Sequence, residues 1–372
     1  MNLRLAKTPT ERRETLEREL GVSLKKIGEA ETNEDTLIHC ENRIGAITIP
    51  IGIAGPVRVS GDHISGAHYI PLATTEGALI ASVSRGMKAT EKGGIITQVE
   101  KEGVTRGPVF LTSSLHEARR VEQWIWGHFD ELAQVAQSTS GHISLMNADI
   151  RHVGMYVFLR LNFDTDRAMG MNMATIATTH IANYIVKKTK AKLQSVAGNF
   201  DIDKKPAWMN ALLRRGYVVN AETVIARTVV NSVFKTEPRD IYNVWKAKCM
   251  IGSALAGSIG FNAHHANIVA AFFAATGQDL AHVVDGSLGM TIVDILDDGS
   301  LYGSVYLPDI MLGTVGGGTK LHTQTEARSI MKTDSPFALA ELLGAAVLAG
   351  ELSLLASLSE GTLAKAHSSL GR

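Results

Sequence analysis

Lys204 and Lys205, set between two aspartates and a proline, are the residues of this sequence best suited to chemistry. Residues 196–206 read V-A-G-N-F-D-I-D-K-K-P, with a tight turn expected at Gly198-Asn199. Proline disfavours helix at the residue before it, which predicts extended or turn backbone at Lys205 and Lys204. A lysine partly desolvated there would aim a fixed positive charge at an oxygen that becomes negative during a reaction. A solvated charge cluster is the plain alternative. Glu76 follows Thr74 and Thr75, either of which can cap a helix running to about Thr90. That places Glu76 in the first turn, as a functional acid or as one that complements the helix dipole. Asp279 comes just after Gly277, at the negative end of a buried helix expected from about residue 264 to 276. Unless it is an ordinary loop aspartate, this position predicts a raised pKa and a retained proton. His367 lies in a fraying C-terminal segment, where a histidine on a flap could act as a switchable acid.

The elements that must position these groups follow from the pattern. Thr8-Pro9-Thr10-Glu11 is a capping box that opens a charged, solvent-facing or subunit-bridging helix ending at Gly21. Ile47, Ile49, Ile51 and Ile53 alternate with Thr48, Pro50 and Gly52, which predicts a half-buried edge strand. Ser82, Arg85 and Lys88 fall three apart and give the next helix a cationic face for phosphates or for solvent. After Pro108 the texture shifts to a compact α/β segment: a helix over 115–135, a strand over 155–161, then a helical stripe of Met173, Ile176, Ala177, His180, Ile181, Tyr184 and Ile185. His180 reads there as a core histidine rather than a ligand. The residues that open this helix, Ala168-Met169-Gly170-Met171-Asn172, offer free amides that suit a pyrophosphate. Asp297-Asp298-Gly299-Ser300 signals a hairpin, and Gly316-Gly317-Gly318 backbone meant for close approach. The apolar run 342–350, bracketed by Glu341 and Glu351, reads as a buried helix too short to span a bilayer.

Composition narrows the classes. The chain has 372 residues, enough for two domains, and 37 basic against 37 acidic residues leave no charge footprint for nucleic acid or acidic membranes. Cys40 and Cys249 form no disulfide framework and no metal-ligand spacing, which fits a reducing cytoplasm. No metal site is expected. Arg4 and Lys7 are not followed by an apolar block, so no secretory signal is expected. GxGxxG, GxxxxGK[ST] and HExxH are absent, which leaves no Rossmann, P-loop or zincin fingerprint.

Nine segments occur in an order that resembles one family. ENRIG at 41–45, ATTEGAL at 73–79, TRGP at 105–108, AMGMNM at 168–173, DKKP at 203–206, GFNAHHAN at 260–267, GQD at 277–279, TVGGGT at 314–319 and AGELSL at 349–354 are similar to the 3-hydroxy-3-methylglutaryl-CoA (HMG-CoA) reductases. ATTEG and DKKP resemble the class shared by eukaryotes and archaea, in a soluble form without the membrane anchor of animal members. The resemblance implies two hydride transfers from NAD(P)H that convert HMG-CoA, through mevaldehyde, to mevalonate and free CoA. By motif, Lys204 would stabilise the oxyanion, Glu76 would donate a proton to the aldehyde, Asp279 would link the two, and His367 would protonate the CoA thiolate. Arg106, Asp203, Lys205 and Asn199 would meet the substrate, Asn267 would hold Lys204, and Ser82 and Arg85 would serve the CoA side. Met169, Gly170, Met171, Asn172, Ser140 and Arg167 would bind the dinucleotide.

An α+β fold is implied, with a discontinuous substrate and dimerisation domain (1–107 and 196–345), an inserted ferredoxin-like cofactor domain (108–195) and a C-terminal helix and flap (346–372). A homodimer or higher homo-oligomer with the active site at the subunit interface follows from the same resemblance. Four positions depart from the family pattern: Arg167 where an acid is usual, Gly141 where an arginine for a 2′-phosphate is common, Ala197 for serine and Asp201 for cysteine. They leave NADPH and NADH both open as cofactor. A CoA-thioester-binding relative with weakened reduction, an NADH-preferring enzyme working oxidatively and an unrelated dehydrogenase of small hydroxy acids are the rival readings.

Overall fold

A computed structural model describes residues 6, 8–30 and 40–361 of the chain. The strands are β1 (Ile51–Gly61), β2 (Ser65–Ala73), β3 (Ile95–Arg106), β4 (Val109–Leu111), β5 (Ser144–Val153), β6 (Tyr156–Asp164), β7 (Lys192–Ser195), β8 (Arg215–Ile225), β9 (Met290–Ile295) and β10 (Leu301–Ile310). β3 carries two sheets. Its first part pairs with β1 and β8, and its last three residues, Val104 to Arg106, pair with β6. The first sheet therefore runs β2-β1-β3-β8-β10-β9, with β1 parallel to β3 and the other pairs antiparallel. Along β8 Asn220, Glu222 and Val224 face out while Ala221, Thr223 and Ile225 face in, the period-two pattern of a sheet with one buried face. The hairpin between β9 and β10 turns where Asp297-Asp298-Gly299-Ser300 predicts it, with Gly299 at φ +80°.

The helix Pro336–Glu360 lies against this sheet and forms the centre of the first core. Ser335 caps it, Pro336 takes its first position, and Gly361 ends it in the left-handed conformation. Among the described residues it is the one helix long and apolar enough to cross a membrane, and it is buried within the fold. The helix Leu79–Ala89 crosses it closely: a Cβ on Gly86 would come within 1.9 Å of the Ala349 carbonyl, so only glycine fits there. Glu341 and Glu351 are both fully buried on this helix, and each satisfies a loop. Glu341 accepts the N–H groups of Asp62 and His63, at 2.8 and 3.1 Å. Glu351 accepts those of Ala263 and His264, at 2.8 and 2.7 Å, and the Thr291 hydroxyl.

The second sheet, order β7-β4-β6-β5, is antiparallel throughout. With helices Leu115–Gly127, Phe129–Gln137 and Met171–Lys188 it follows a β-α-β-β-α-β course, the first α position being split in two at His128. These helices share one core with the sheet, built around Phe110, Leu159, Leu161, Phe163, Ile181 and Ile185.

Several expectations are corrected. Ile47, Ile49, Ile51 and Ile53 are 80, 40, 54 and 45 % exposed, and β1 begins only at Ile51, so the alternating row faces outward. The stripe on Met171–Lys188 is Ala174, Ala177, Thr178, Ile181, Ala182 and Ile185, which leaves His180 and Ile176 exposed. The stripe read from sequence was rotated because small residues, rather than the bulky ones, face the sheet. The helix after Thr74-Thr75 starts at Leu79, with Ala78 at φ +70°, so Glu76 lies in the turn before it. A division at residues 345/346 falls inside an unbroken core helix.

Removing the Glu351 carboxylate leaves two backbone N–H groups and a hydroxyl without their acceptor, at roughly 1–3 kcal/mol for each orphaned group. Glu351→Leu is expected to destabilise the protein by about 3 kcal/mol in urea titrations. A loss below about 1 kcal/mol would show that the two loops do not depend on it.

Candidate active site

The loop over 196–206 leaves β7 at the junction of the two sheets and runs into the helix Trp208–Leu213. Three non-glycine residues in it adopt positive φ: Asn199 (63°), Ile202 (48°) and Lys204 (57°). A β-branched isoleucine in that region is a genuine outlier, and such strain persists only where surrounding contacts over-determine it. Those contacts are present. Thr105 Oγ1 donates to the Asp201 carbonyl at 2.8 Å, and Asn210 Nδ2 to the Ile202 carbonyl at 3.0 Å. The Lys204 and Lys205 N–H groups donate to Asp285 at 3.0 and 2.9 Å.

Beneath the loop lies a buried ionic cluster. The Arg215 guanidinium, fully buried, reaches Asp203 at 2.8 Å, Asp285 at 3.1 Å and Asp309 at 3.9 Å, and donates to Thr105 through Nε. His282 Nδ1 lies 2.9 Å from Asp285 Oδ2. Asp203, His282 and Asp285 stand close enough to suggest a metal site, but the guanidinium already supplies the cation between the carboxylates. Asp309 takes a hydrogen bond from Asn210 at 2.7 Å. Burial pushes its carboxyl up to about 7, against the pull of Arg215.

Lys204 Nζ points away from this cluster and pairs with Asp279 at 2.7 Å, each side chain a little over one third exposed. Asp279 is a correction to the sequence reading. Burial raises its carboxyl, but the Lys204 ammonium and the Ala281 N–H, which it accepts at 3.0 Å, hold it below the usual range. It does not take the helix-terminal charge because it begins a new 3₁₀ turn, Leu280–His282, and caps it. Arg106 lies 3.4 Å from Asp201 and 3.5 Å from Asp203, with its Nε on Thr175.

These groups line one cleft of about 1000 Å³. Arg106, Asp203, Lys204 and Asp279 border it on one side, and Met169 to Asn172 and the Gly316–Gly318 run on others. The 18-residue helix Met171–Lys188 opens into it through Gly170, at φ +90°, where a Cβ would lie 2.4 Å from Thr165. Arg167 is on the rim, engaged with Asp334 and 3.3 Å from Thr314 Oγ1. His142 and Asp166 pair beside it at 3.2 Å.

Other expected residues stand elsewhere. Glu76 is exposed and accepts from Asn267 Nδ2 at 3.2 Å. Asn267 thus holds Glu76, with His264 at 3.4 Å, and not Lys204 as expected. Ser82 and Arg85 turn toward the core helix: both bond Ser353 at 3.0 Å, and Arg85 stacks over Phe234. The cationic face read from the three-residue spacing therefore keeps Lys88 alone exposed. Ser140 accepts the His142 N–H at 3.1 Å; Asn199 and Lys205 are exposed outside the cleft lining. His367 lies outside the described residues. Sequence reasoning missed Asp285, Arg215, His282 and Asp309. Asp309 alone carried a readable signal, as an acid within the apolar run 305–312.

In the unfolded chain the Asp309 carboxyl ionises near the ordinary 3.8, whereas in the fold it keeps its proton to about 7. Its stabilising contribution is complete below the lower value and is lost as pH rises through the upper one. Compared with Asp309→Asn, the wild type is expected to lose melting temperature between about pH 4 and 7, with the difference level above that window. A difference independent of pH would contradict the buried, proton-holding Asp309.

Comparison with known proteins identifies the family. The family model described as hydroxymethylglutaryl-coenzyme A reductase matches residues 8–372. The 3-hydroxy-3-methylglutaryl-coenzyme A reductase of Methanothermobacter thermautotrophicus is 46% identical over 97% of this chain and 92% of its own length. That of Halobacterium salinarum is 46% identical over 92% of this chain and 86% of its own. A class II reductase of Streptococcus pneumoniae, solved with NADPH bound, shares the fold with a TM-score of 0.73 at 18% identity, over 96% of this chain and 99% of that one. The chain belongs to the hydroxymethylglutaryl-coenzyme A reductase family.

Proposed function

We propose that the chain reduces HMG-CoA to mevalonate and free CoA, with two reduced nicotinamide dinucleotides consumed and two protons taken up. The observation that carries this reading is the Lys204–Asp279 pair, at 2.7 Å, in a cleft that also receives the open N-terminus of the helix Met171–Lys188. The residues present fit a dinucleotide. Gly170 leaves room that a Cβ would fill, and unpaired N–H groups at a helix start suit a pyrophosphate. Bound there, a reduced nicotinamide supplies the hydride for each of the two reductions. Lys204 meets the carbonyl oxygen each time and stabilises the negative charge that it gains. Asp279, its carboxyl held below the usual range, orients the ammonium. Collapse of the first adduct breaks the carbon–sulfur bond, and His367 delivers a proton to the departing thiolate. Glu76, positioned by Asn267, protonates the alkoxide of the second reduction. Arg106 and Asp203 orient the polar end of the substrate, with Lys205 and Asn199 at its edge. The dinucleotide lies along Met169 to Asn172, and Ser140 and Arg167 bound its far end.

The same reading assigns 1–107 and 196 through the core helix Pro336–Glu360 to a substrate domain, and 108–195 to an inserted cofactor domain. The β-α-β-β-α-β course and its separate core support the insertion. A homodimer or larger homo-oligomer is supported by the exposed row Ile47, Ile49, Ile51 and Ile53. Ile49 also lines the cleft, so a partner that covers this row borders the active site. Two free cysteines suit a reducing cytoplasm.

Loss of nicotinamide absorbance with HMG-CoA, run with NADPH and NADH side by side, is expected to show two cofactors oxidised per CoA released. Binding of the thioester without turnover would overturn the proposal. Lys204→Ala should lower kcat by about 10²–10³-fold or more in a folded protein, as removal of a preorganised oxyanion partner does. Near-normal turnover would remove Lys204 from the mechanism. His367→Gln should slow thioester reduction far more than reduction of supplied mevaldehyde; equal slowing would exclude the thiolate role.

A further inference from the structure

We propose that Asp285 is a positioning residue for Lys204: its carboxylate fixes the left-handed backbone from which the Lys204 side chain reaches Asp279. The inference rests on the reading of Lys204 as the group that meets the carbonyl oxygen. Each Asp285 oxygen takes one N–H of the loop, Oδ2 that of Lys204 at 3.0 Å and Oδ1 that of Lys205 at 2.9 Å. Both amides are thus tied to one planar group, which restrains the peptide on either side of Lys204 at φ +57°. No strand or helix could do this, because Pro206 follows and the loop makes no ladder. The carboxylate is itself held from behind. Oδ2 also accepts from Arg215 Nη1 at 3.1 Å and lies 2.9 Å from His282 Nδ1. Asp285 and His282 are fully buried, so neither can touch a substrate in the cleft. The direct contact of Asp285 with the site runs through the two loop amides. A catalytic cation on a four-carbon stem gains its direction from the backbone that carries it, and a shift of about 1 Å in a reacting group costs on the order of 10²-fold in rate.

Asp285→Asn keeps the shape but turns one acceptor into an amide donor facing an N–H. Its kcat on HMG-CoA is expected to fall about 100-fold, with KM for the thioester within about threefold of wild type. Asp285→Glu, which retains two acceptor oxygens, should recover at least about tenfold of that loss. Added to Lys204→Ala, the asparagine change should cost nothing further, because two groups that act as one unit are non-additive. Lower melting temperature with unchanged kcat per folded molecule would overturn the positioning role and leave a structural one. Full activity of Lys204→Ala would instead overturn the reading on which the inference rests. If neither Asp285 variant folds, amide hydrogen exchange on the wild-type enzyme decides. The Lys204 and Lys205 amides should be protected well beyond a solvent-exposed loop, and unprotected exchange there would end the proposal.

Discussion

A fully buried guanidinium, Arg215, sets the terms for the centre of this molecule. A charge cannot remain in a protein interior without partners, and Arg215 collects Asp203, Asp285 and Asp309 from three separate parts of the chain. One begins the DKKP segment, one follows the His282 turn, and one lies near the end of β10. Such a cluster is a poor source of net stability, because desolvation of each ion offsets its attraction. What it does instead is tie together loops from three parts of the chain. Burial answers the excess of acid over base by raising one member, Asp309, toward neutrality.

The cluster also sits where the two sheets meet. β3 ends in Arg106 as it passes from the first sheet to the second, and Thr105 bonds both Arg215 and the Asp201 carbonyl. The site is therefore built at a junction, with the cation of the DKKP loop supplied from one core and the helix N-terminus at Gly170 from the other. Either half alone offers only a partial cleft.

Much of this was legible from residue order, for physical reasons that differ by element. The hairpin at Asp297–Ser300 and the helix over 265–276 announce themselves through local chemistry, a turn glycine in one and a C-capping Gly277 in the other. The family was legible because nine short segments fall in one order. Orientation was harder to read. Which face of Met171–Lys188 is buried, and whether Ile47 to Ile53 point in or out, depend on what packs against them. Asp285, His282 and Arg215 were invisible because their meaning is tertiary: 70 residues separate Arg215 from Asp285, and neither lies in a motif of its own. Asn267 was assigned to Lys204 by motif, yet the turn before Leu79 brings Glu76 to it instead.

The state of Asp279 constrains how protons can move. A helix terminus alone would favour a neutral carboxyl there, and a neutral acid beside Lys204 could both hold the cation and supply a proton. The chain instead begins a new 3₁₀ turn at Asp279. By capping the turn Leu280–His282 and by meeting Lys204 at 2.7 Å, Asp279 is stabilised as an anion. An ionised partner aims the ammonium, which is what a developing oxyanion needs. Two reductions with one C–S cleavage nevertheless require protons at two different atoms, the thiolate sulfur and the final alkoxide. In the proposed mechanism the pair supplies field and orientation, and His367 and Glu76 supply those protons.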